Sequence, residues 1–202
     1  EPDHSGMIKS VLAKYPAMKV IGNAKTWELM QKYYGIPQEN FMQVSDGEEL
    51  NIGSSTLRFV FVPWVHWPET MVTLDAADGV LFSCDAFGGY GSLDGGIFDS
   101  DYNMEEVFLP EMRRYYSNIV AKYNQMVTRA IAKLAGVPVK MIAPSHGVVW
   151  KEAPEKVIAL YSGWAASKAE EGVVIAYASM YGNTANLADQ IGAKLSELGI
   201  RN

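Results

Sequence analysis

Cysteine is nearly missing from this chain: Cys84 stands alone among 202 residues. No intramolecular disulfide can form, which fits a reducing compartment and leads us to expect a cytoplasmic protein. Long apolar runs are missing too. No stretch approaches the roughly 18 uninterrupted apolar residues of a membrane span. The opening Glu1-Pro-Asp-His-Ser-Gly6 is polar, with neither an initiator Met nor a signal-type apolar region. There is no surplus of positive charge. Lys and Arg number 17 against 23 Asp and Glu, a net charge of -6, which argues against a nucleic-acid surface. Histidine is scarce, with only His4, His66 and His146.

What is present is an ordinary globular balance, 49% apolar and 20% charged, with no repeat. Residues 5–15 read as a helix capped by Ser5, with Met7, Ile8, Val11 and Leu12 on one face. A short strand near Met18–Ile21 and a helix near Ala24–Tyr34, ended by Gly35, follow. Phe41 to Val65 turns to strands, with Leu57, Phe59 and Phe61 alternating against Arg58, Val60 and Val62. Met71–Leu74 and Val80–Ser83 read as two more strands, and the glycine-rich stretch Gly88–Gly96 as a loop. Met104–Leu134 has helical spacing, divided or opened by Pro110 and ended by Gly136. Val139–Ala143 reads as a buried strand, Glu155–Ser167 as a helix and Lys168–Gly172 as a linker. The chain then predicts a buried strand at Val173–Ala178, a loop at Ser179–Thr184 and a helix to about Leu198. The order makes this an α/β chain.

Three apolar strands each run into a ligand-type side chain: Val60 to Val65 into His66, Val80 to Cys84 into Asp85, and Lys140 to Ser145 into His146. A fourth cluster, Glu1, Asp3 and His4, heads the first helix. Loops at one edge of a sheet converge and carry sites placed by a rigid scaffold. Each residue also has a plain structural reading: a hydrogen-bonded histidine, a turn-capping Asp85, acids at a helix N-terminus. Yet every histidine in the chain falls in one of these slots, which points to a shared metal site. Imidazole with carboxylate suits iron, manganese or zinc, and a carboxylate such as Asp85 can bridge two cations.

These motifs resemble the flavodiiron proteins (A-type flavoproteins) of the metallo-β-lactamase superfamily. Glu1-Pro-Asp3-His4 is similar to the end of their H-x-E-x-D-H motif. His66 in Pro-Trp-Val-His-Trp-Pro-Glu-Thr, Asp85 in Ser-Cys-Asp-Ala-Phe-Gly and His146 in Pro-Ser-His-Gly follow in the family's order. The hydrolases of the superfamily usually carry His where Glu1 stands. The resemblance implies a partial αββα sandwich over 1–168. It implies that Glu1 and His66 hold one iron, that Asp3, His4 and His146 belong to the second, and that Asp85 bridges, with His4 the weaker assignment. The motif's first His would lie two residues ahead of Glu1, with the domain's opening strands before it, so one iron lacks a ligand in this chain.

The segment Ser179-Met180-Tyr181-Gly182-Asn183-Thr184 lies before a helix, where hydroxyls and free backbone amides make an anion site. It resembles the phosphate loop of flavodoxins, which holds FMN. Residues 173–202 then correspond to the first βα unit of a flavodoxin-like doubly wound domain, too little to grip a flavin ring well. Trp64, Trp67 and Phe87 flank the expected ligands, as packing or as a dry wall, and Cys84 reads as a small buried apolar residue.

The expected activity, that of the intact protein and not of these 202 residues alone, is that of an oxidoreductase with two iron ions and FMN, reducing oxygen to water or nitric oxide to nitrous oxide. The family implies rubredoxin or a reduced deazaflavin as donor and a head-to-tail homodimer or homotetramer. The rival is a dinuclear zinc hydrolase whose bridging hydroxide attacks a thioester or phosphodiester; Glu1 and the flavodoxin-like loop argue against it. A third reading, a flavodoxin-like binding module behind a degenerate scaffold, is opposed by six intact ligand positions.

Overall fold

The computed structural model describes residues 1–168 and 171–201. The centre of the expected linker, residues 169 and 170, and Asn202 lie outside them. The chain divides into two compact units, Glu1–Ser167 and Lys168–Asn202.

The first unit opens with two short helices, α1 (Pro2–Ser5) and α2 (Ile8–Lys14), where the sequence predicts one. Ser5 does not cap a helix that follows it. Its hydroxyl donates back to the Glu1 carbonyl at 2.6 Å and meets the Tyr34 hydroxyl at 2.9 Å, so it closes the first turn instead. Strand β1 (Val20–Gly22), helix α3 (Ala24–Tyr34) and strand β2 (Phe41–Gln43) follow, with β1 and β2 parallel. Asn23 caps α3 by accepting from the Thr26 amide, and Gly35, at φ +57°, closes it. Leu12, Met30, Ile36 and Phe41 form a small core between these elements.

Strands β3 (Glu49–Asn51), β4 (Thr56–Phe61), β5 (Met71–Asp75), β6 (Val80–Cys84) and β7 (Met141–Pro144) form one sheet in chain order. The first four pair antiparallel and β7 joins β6 in parallel. One face presents Val60, Val72, Leu74, Leu81 and Ile142, all buried. It belongs to the same core as Val127 and Ala130 of α5 (Asn124–Leu134) and Val157 and Tyr161 of α6 (Pro154–Ala165), α4 being Leu109–Tyr115. At about 25 cal/mol per Å² of apolar surface removed from water, burying this face stabilises the fold. The opposite face leaves Phe82 half exposed.

The helical stretch predicted over Met104–Leu134, with Pro110 dividing or opening it, is divided more than once. A wide turn at Met104–Phe108 precedes α4, where Pro110 sits in the first turn. A second occupies Tyr116–Val120 and runs into a tight turn at Ala121–Tyr123. The Ser117 hydroxyl and the Asn118 amide donate to the carbonyls of Arg113 and Arg114, at 2.8 and 2.7 Å. Those carbonyls are four residues back, so the side chains compete with the helical backbone bonds and the turn widens.

In the second unit α7 (Asn183–Glu197) forms as expected. The strand predicted at Val173–Ala178 does not: the segment is irregular, and Val174 is 92% exposed. A strand exists through its ladder, which an apolar run does not supply by itself; the Val173 amide donates to the Arg201 carbonyl at 2.9 Å. No helix among the described residues is long and apolar enough to cross a membrane.

Candidate metal centre

Strand β4 is antiparallel to β5, which is antiparallel to β6, so β4 runs with β6 and β7. Their C-terminal ends therefore share one edge of the sheet. His66 follows β4, Asp85 follows β6, and His146 follows β7. Helix α1 brings Glu1, Asp3 and His4 to the same edge. The loops are tied together: the Ser145 amide donates to the Cys84 carbonyl and the Gly89 amide to the His146 carbonyl, at 2.8 and 3.3 Å. Gly147, at φ +82°, lets them pass closely, since a Cβ there would lie 2.5 Å from the Phe108 ring.

Asp85 is the centre of the arrangement and is 1% exposed. Its Oδ2 lies 2.7 Å from His66 Nε2, which is itself 3.3 Å from Glu1 Oε2. Its Oδ1 faces the other way, 3.1 Å from His4 Nε2 and 3.4 Å from His146 Nε2. His146 Nε2 is also 3.3 Å from Asp3 Oδ2, and the two Nε2 atoms of His4 and His146 are 3.1 Å apart. All six residues named from the sequence thus meet in one cluster. Distance alone also groups Glu1, His4, Cys84 and Asp85. The Nε2 contacts separate the donors into two sets, one on each oxygen of Asp85.

Cys84 departs from the expected packing role. Side chains alternate along a strand, so Cys84 and Asp85 should face opposite ways. The ladder with β7 shifts register between Phe82 and Cys84, and Cys84 has φ +56°. Both side chains consequently reach the cluster. Cys84 Sγ is 3.5 Å from Glu1 Oε1 and 3.5 Å from His4 Nδ1. Burial, then the charges of Glu1 and Asp85, push the thiol above its usual range.

The donors fit a pair of cations. Three carboxylates and three imidazoles converge, and Asp85 Oδ1 accepts no hydrogen bond from any described residue. Burial, then the hydrogen bond and charge of Asp85, push the Glu1 carboxyl up to about 8. Buried carboxylates so close are costly unless a cation or proton joins them. Hard oxygen and imidazole nitrogen are the ligands iron, manganese and zinc take.

A cavity of about 560 Å³ opens at the cluster, lined by Glu1, Asp3, His66, Asp85 and His146 and also by Trp67, Tyr90, Tyr115 and Ile119. Of the three aromatics flanking the expected ligands only Trp67 lines it. Trp64 is 43% exposed and stacks near Tyr123, and Phe87 is buried against Tyr161. Tyr115 escaped the sequence reading because a tyrosine at helical spacing looks like core. Its hydroxyl has no hydrogen-bond partner among the described residues, and burial pushes its pKa up. Glu69 was passed over as well. It is buried, and its Oε1 accepts from the main-chain nitrogen of Glu1 at 3.1 Å. Its backbone carbonyl takes Asn23 Nδ2, tying α3 to the loop after His66.

In the second unit Ser179, Met180, Tyr181, Gly182, Asn183 and Thr184 lie exposed at the start of α7. Gly182 takes φ +83°, and no side chain caps the helix. The first-turn amides have no partner within the helix, which suits a phosphate.

Residues 1–147 match the family model described as ODP family beta lactamase. Over 201 residues the chain is 36% identical to an anaerobic nitric oxide reductase flavorubredoxin of Salmonella paratyphi B, covering 98% of this chain and 42% of that protein. Its fold is similar to a substituted form of the flavo di-iron protein from Thermotoga maritima, with TM-score 0.81 and 34% identity over 90% of this chain and 45% of that one. It is similar also to the rubredoxin oxygen:oxidoreductase of the anaerobe Desulfovibrio gigas, with TM-score 0.92 and 28% identity over 100% of this chain and 51% of that one. The chain spans about half the length of these relatives or less.

Proposed function

Because the chain belongs to the ODP family of beta lactamase domains, we propose that it is the metal-bearing part of a flavodiiron oxidoreductase that reduces oxygen to water or nitric oxide to nitrous oxide. The observation that carries this reading is the split of Asp85: Oδ2 faces His66 at 2.7 Å, and Oδ1 faces His4 and His146 at 3.1 and 3.4 Å. We assign Glu1 and His66 to one iron, Asp3, His4 and His146 to the other, and Asp85 to both. The names of the relatives support the activity: one reduces nitric oxide, another is an oxygen oxidoreductase, a third a flavo di-iron protein.

Two iron ions held side by side would supply electrons together to a diatomic substrate, with FMN feeding them. The chain's own residues do the rest. Glu1 replaces a neutral imidazole with an anion, which favours oxidised iron over zinc. Trp67, Tyr90 and Ile119 narrow the cavity and limit water near the ligands. The segment Ser179–Thr184 would hold the FMN phosphate on the amides of α7. On this reading residues 1–168 form the diiron domain and 173–202 begin a flavodoxin-like domain. The donor is rubredoxin or a reduced deazaflavin, the assembly a head-to-tail homodimer or homotetramer, and the location the cytoplasm.

The test is metal analysis of the anaerobically purified whole protein that carries this chain, together with gas uptake after chemical reduction. Two irons per protein chain, with oxygen or nitric oxide consumed, are expected. Two zinc ions, with hydrolysis of a thioester or phosphodiester and no gas uptake, overturn the reading.

A further inference from the structure

The cluster contains one polar side chain to which the ligand assignment gives no task. Cys84 Sγ stands 3.5 Å from Glu1 Oε1 and 3.5 Å from His4 Nδ1. On the assignment above, these belong to ligands of different irons. The other nitrogen of His4, Nε2, faces the buried Asp85 Oδ1, which no described residue satisfies with a hydrogen bond. That orphaned oxygen, 98% buried at its side chain, marks the place where a cation belongs, and His4 is aimed at it.

We propose that Cys84 is a positioning residue that commits His4 to metal ligation by fixing its tautomer through a hydrogen-bonded row, His4 Nδ1 to Cys84 Sγ to Glu1 Oε1. The direction of the row follows from what each group can do. An ionised carboxylate only accepts, so the thiol hydrogen points to Glu1 Oε1. The sulfur then has only lone pairs to offer His4, so Nδ1 must carry the hydrogen. A neutral imidazole protonated at Nδ1 is bare at Nε2, and a bare Nε2 is what a metal requires. The partner of a ligating histidine is usually a carboxylate, a backbone carbonyl or water; here a thiol takes that place. The same thiol holds Glu1 Oε1, which leaves Oε2 toward His66, 3.3 Å away. One side chain thereby orients a ligand in each set.

This inference rests on the two-metal reading for its purpose but not for its first test. In the metal-free chain, long-range proton–nitrogen correlation NMR at about pH 9.5, above both the ordinary imidazole range and the raised Glu1 carboxyl, reads the tautomer of each histidine. The inference expects His4 protonated at Nδ1. It expects Cys84→Ser, whose hydroxyl can donate and accept in the same row, to keep that tautomer, and Cys84→Ala to lose it. His4 protonated at Nε2 in the unsubstituted chain, or a tautomer unmoved by Cys84→Ala, overturns the inference whatever metals the protein binds. The second test titrates ferrous iron anaerobically and counts imidazole ligands by X-ray absorption. Cys84→Ala should weaken one of the two irons about 10- to 100-fold and lower the imidazole count, with Cys84→Ser restoring both. Equal affinity and equal imidazole count in the Ala variant also overturn it. Failure of the unsubstituted chain to take up two irons instead counts against the function proposed above.

Discussion

His66 Nε2 stands 2.7 Å from Asp85 Oδ2, and the second oxygen of that carboxylate is turned away toward His4. A carboxylate placed between two sets of imidazoles can serve both at once only if each oxygen is a full acceptor. Asp85→Asn removes the charge and turns one oxygen into a donor amide that repels a cation. The variant should hold at most one metal per chain where the unsubstituted protein holds two, measured by elemental analysis after ferrous loading and desalting. Two tightly held irons in Asp85→Asn would falsify the bridging role.

The six residues that meet around Asp85 were legible in the sequence because histidine is scarce: each of the three histidines follows a strand or heads a helix, the carboxylates stand beside them or in the same slots, and strand ends must share an edge. Tyr115, Glu69 and Cys84 were not legible. Tyr115 sits in a run that reads as core, and only the widened turn after it, which Ser117 and Asn118 bring about, separates it from an ordinary helix. Cys84 looked like a buried apolar residue because strand alternation turns it away from Asp85; a register shift undoes that alternation. The strand at Val173–Ala178 has the right composition, but apolar pattern does not supply a ladder partner.

Tyr115 carries a hydroxyl, 3% exposed as a residue, with no partner among the described residues. Leaving such a group buried and unpaired costs about 1–3 kcal/mol. Tyr115→Phe keeps the ring and removes the cost, so the metal-free variant should equal or exceed the unsubstituted protein in stability. Tyr115→Ala should lose about 3–5 kcal/mol as a large cavity opens. Urea unfolding followed by tryptophan fluorescence reports this cleanly, since all five tryptophans lie in the first unit. A loss above about 1 kcal/mol in Tyr115→Phe would mean that the hydroxyl has a partner.

Asp99 holds the turn ahead of α6. It is buried, and its two oxygens accept from the amides of Lys151, Glu152 and Ala153 at 3.0–3.2 Å, just ahead of α6. Asp99→Ala strips acceptors from three backbone donors and should cost about 3 kcal/mol. Asp99→Asn, with one acceptor oxygen left, should lose less. The order unsubstituted, Asn, Ala in denaturation midpoint is the expected outcome; equal midpoints would refute it.

The Asp46–Lys133 pair gives a pH signature. Partial burial works against the Asp46 charge. The Lys133 hydrogen bond at 2.7 Å, the Phe61 amide and the nearby Lys133 and Arg58 charges outweigh it and hold the carboxyl below its usual range. A group whose folded pKa is depressed stabilises the fold above its unfolded value and loses that contribution as pH falls through the folded value. Both partners are nearly half exposed, so the contribution is small, below about 1 kcal/mol. Asp46→Asn should therefore be slightly less stable than the unsubstituted chain at every pH above about 4, the ordinary aspartate range. The gap should narrow as the solution is acidified further, because the unsubstituted protein then protonates Asp46 as well. Added salt should shrink it at neutral pH. A gap that widens toward acid would mean that the Asp46 carboxyl is raised rather than lowered in the fold, and that Lys133 does not hold it charged.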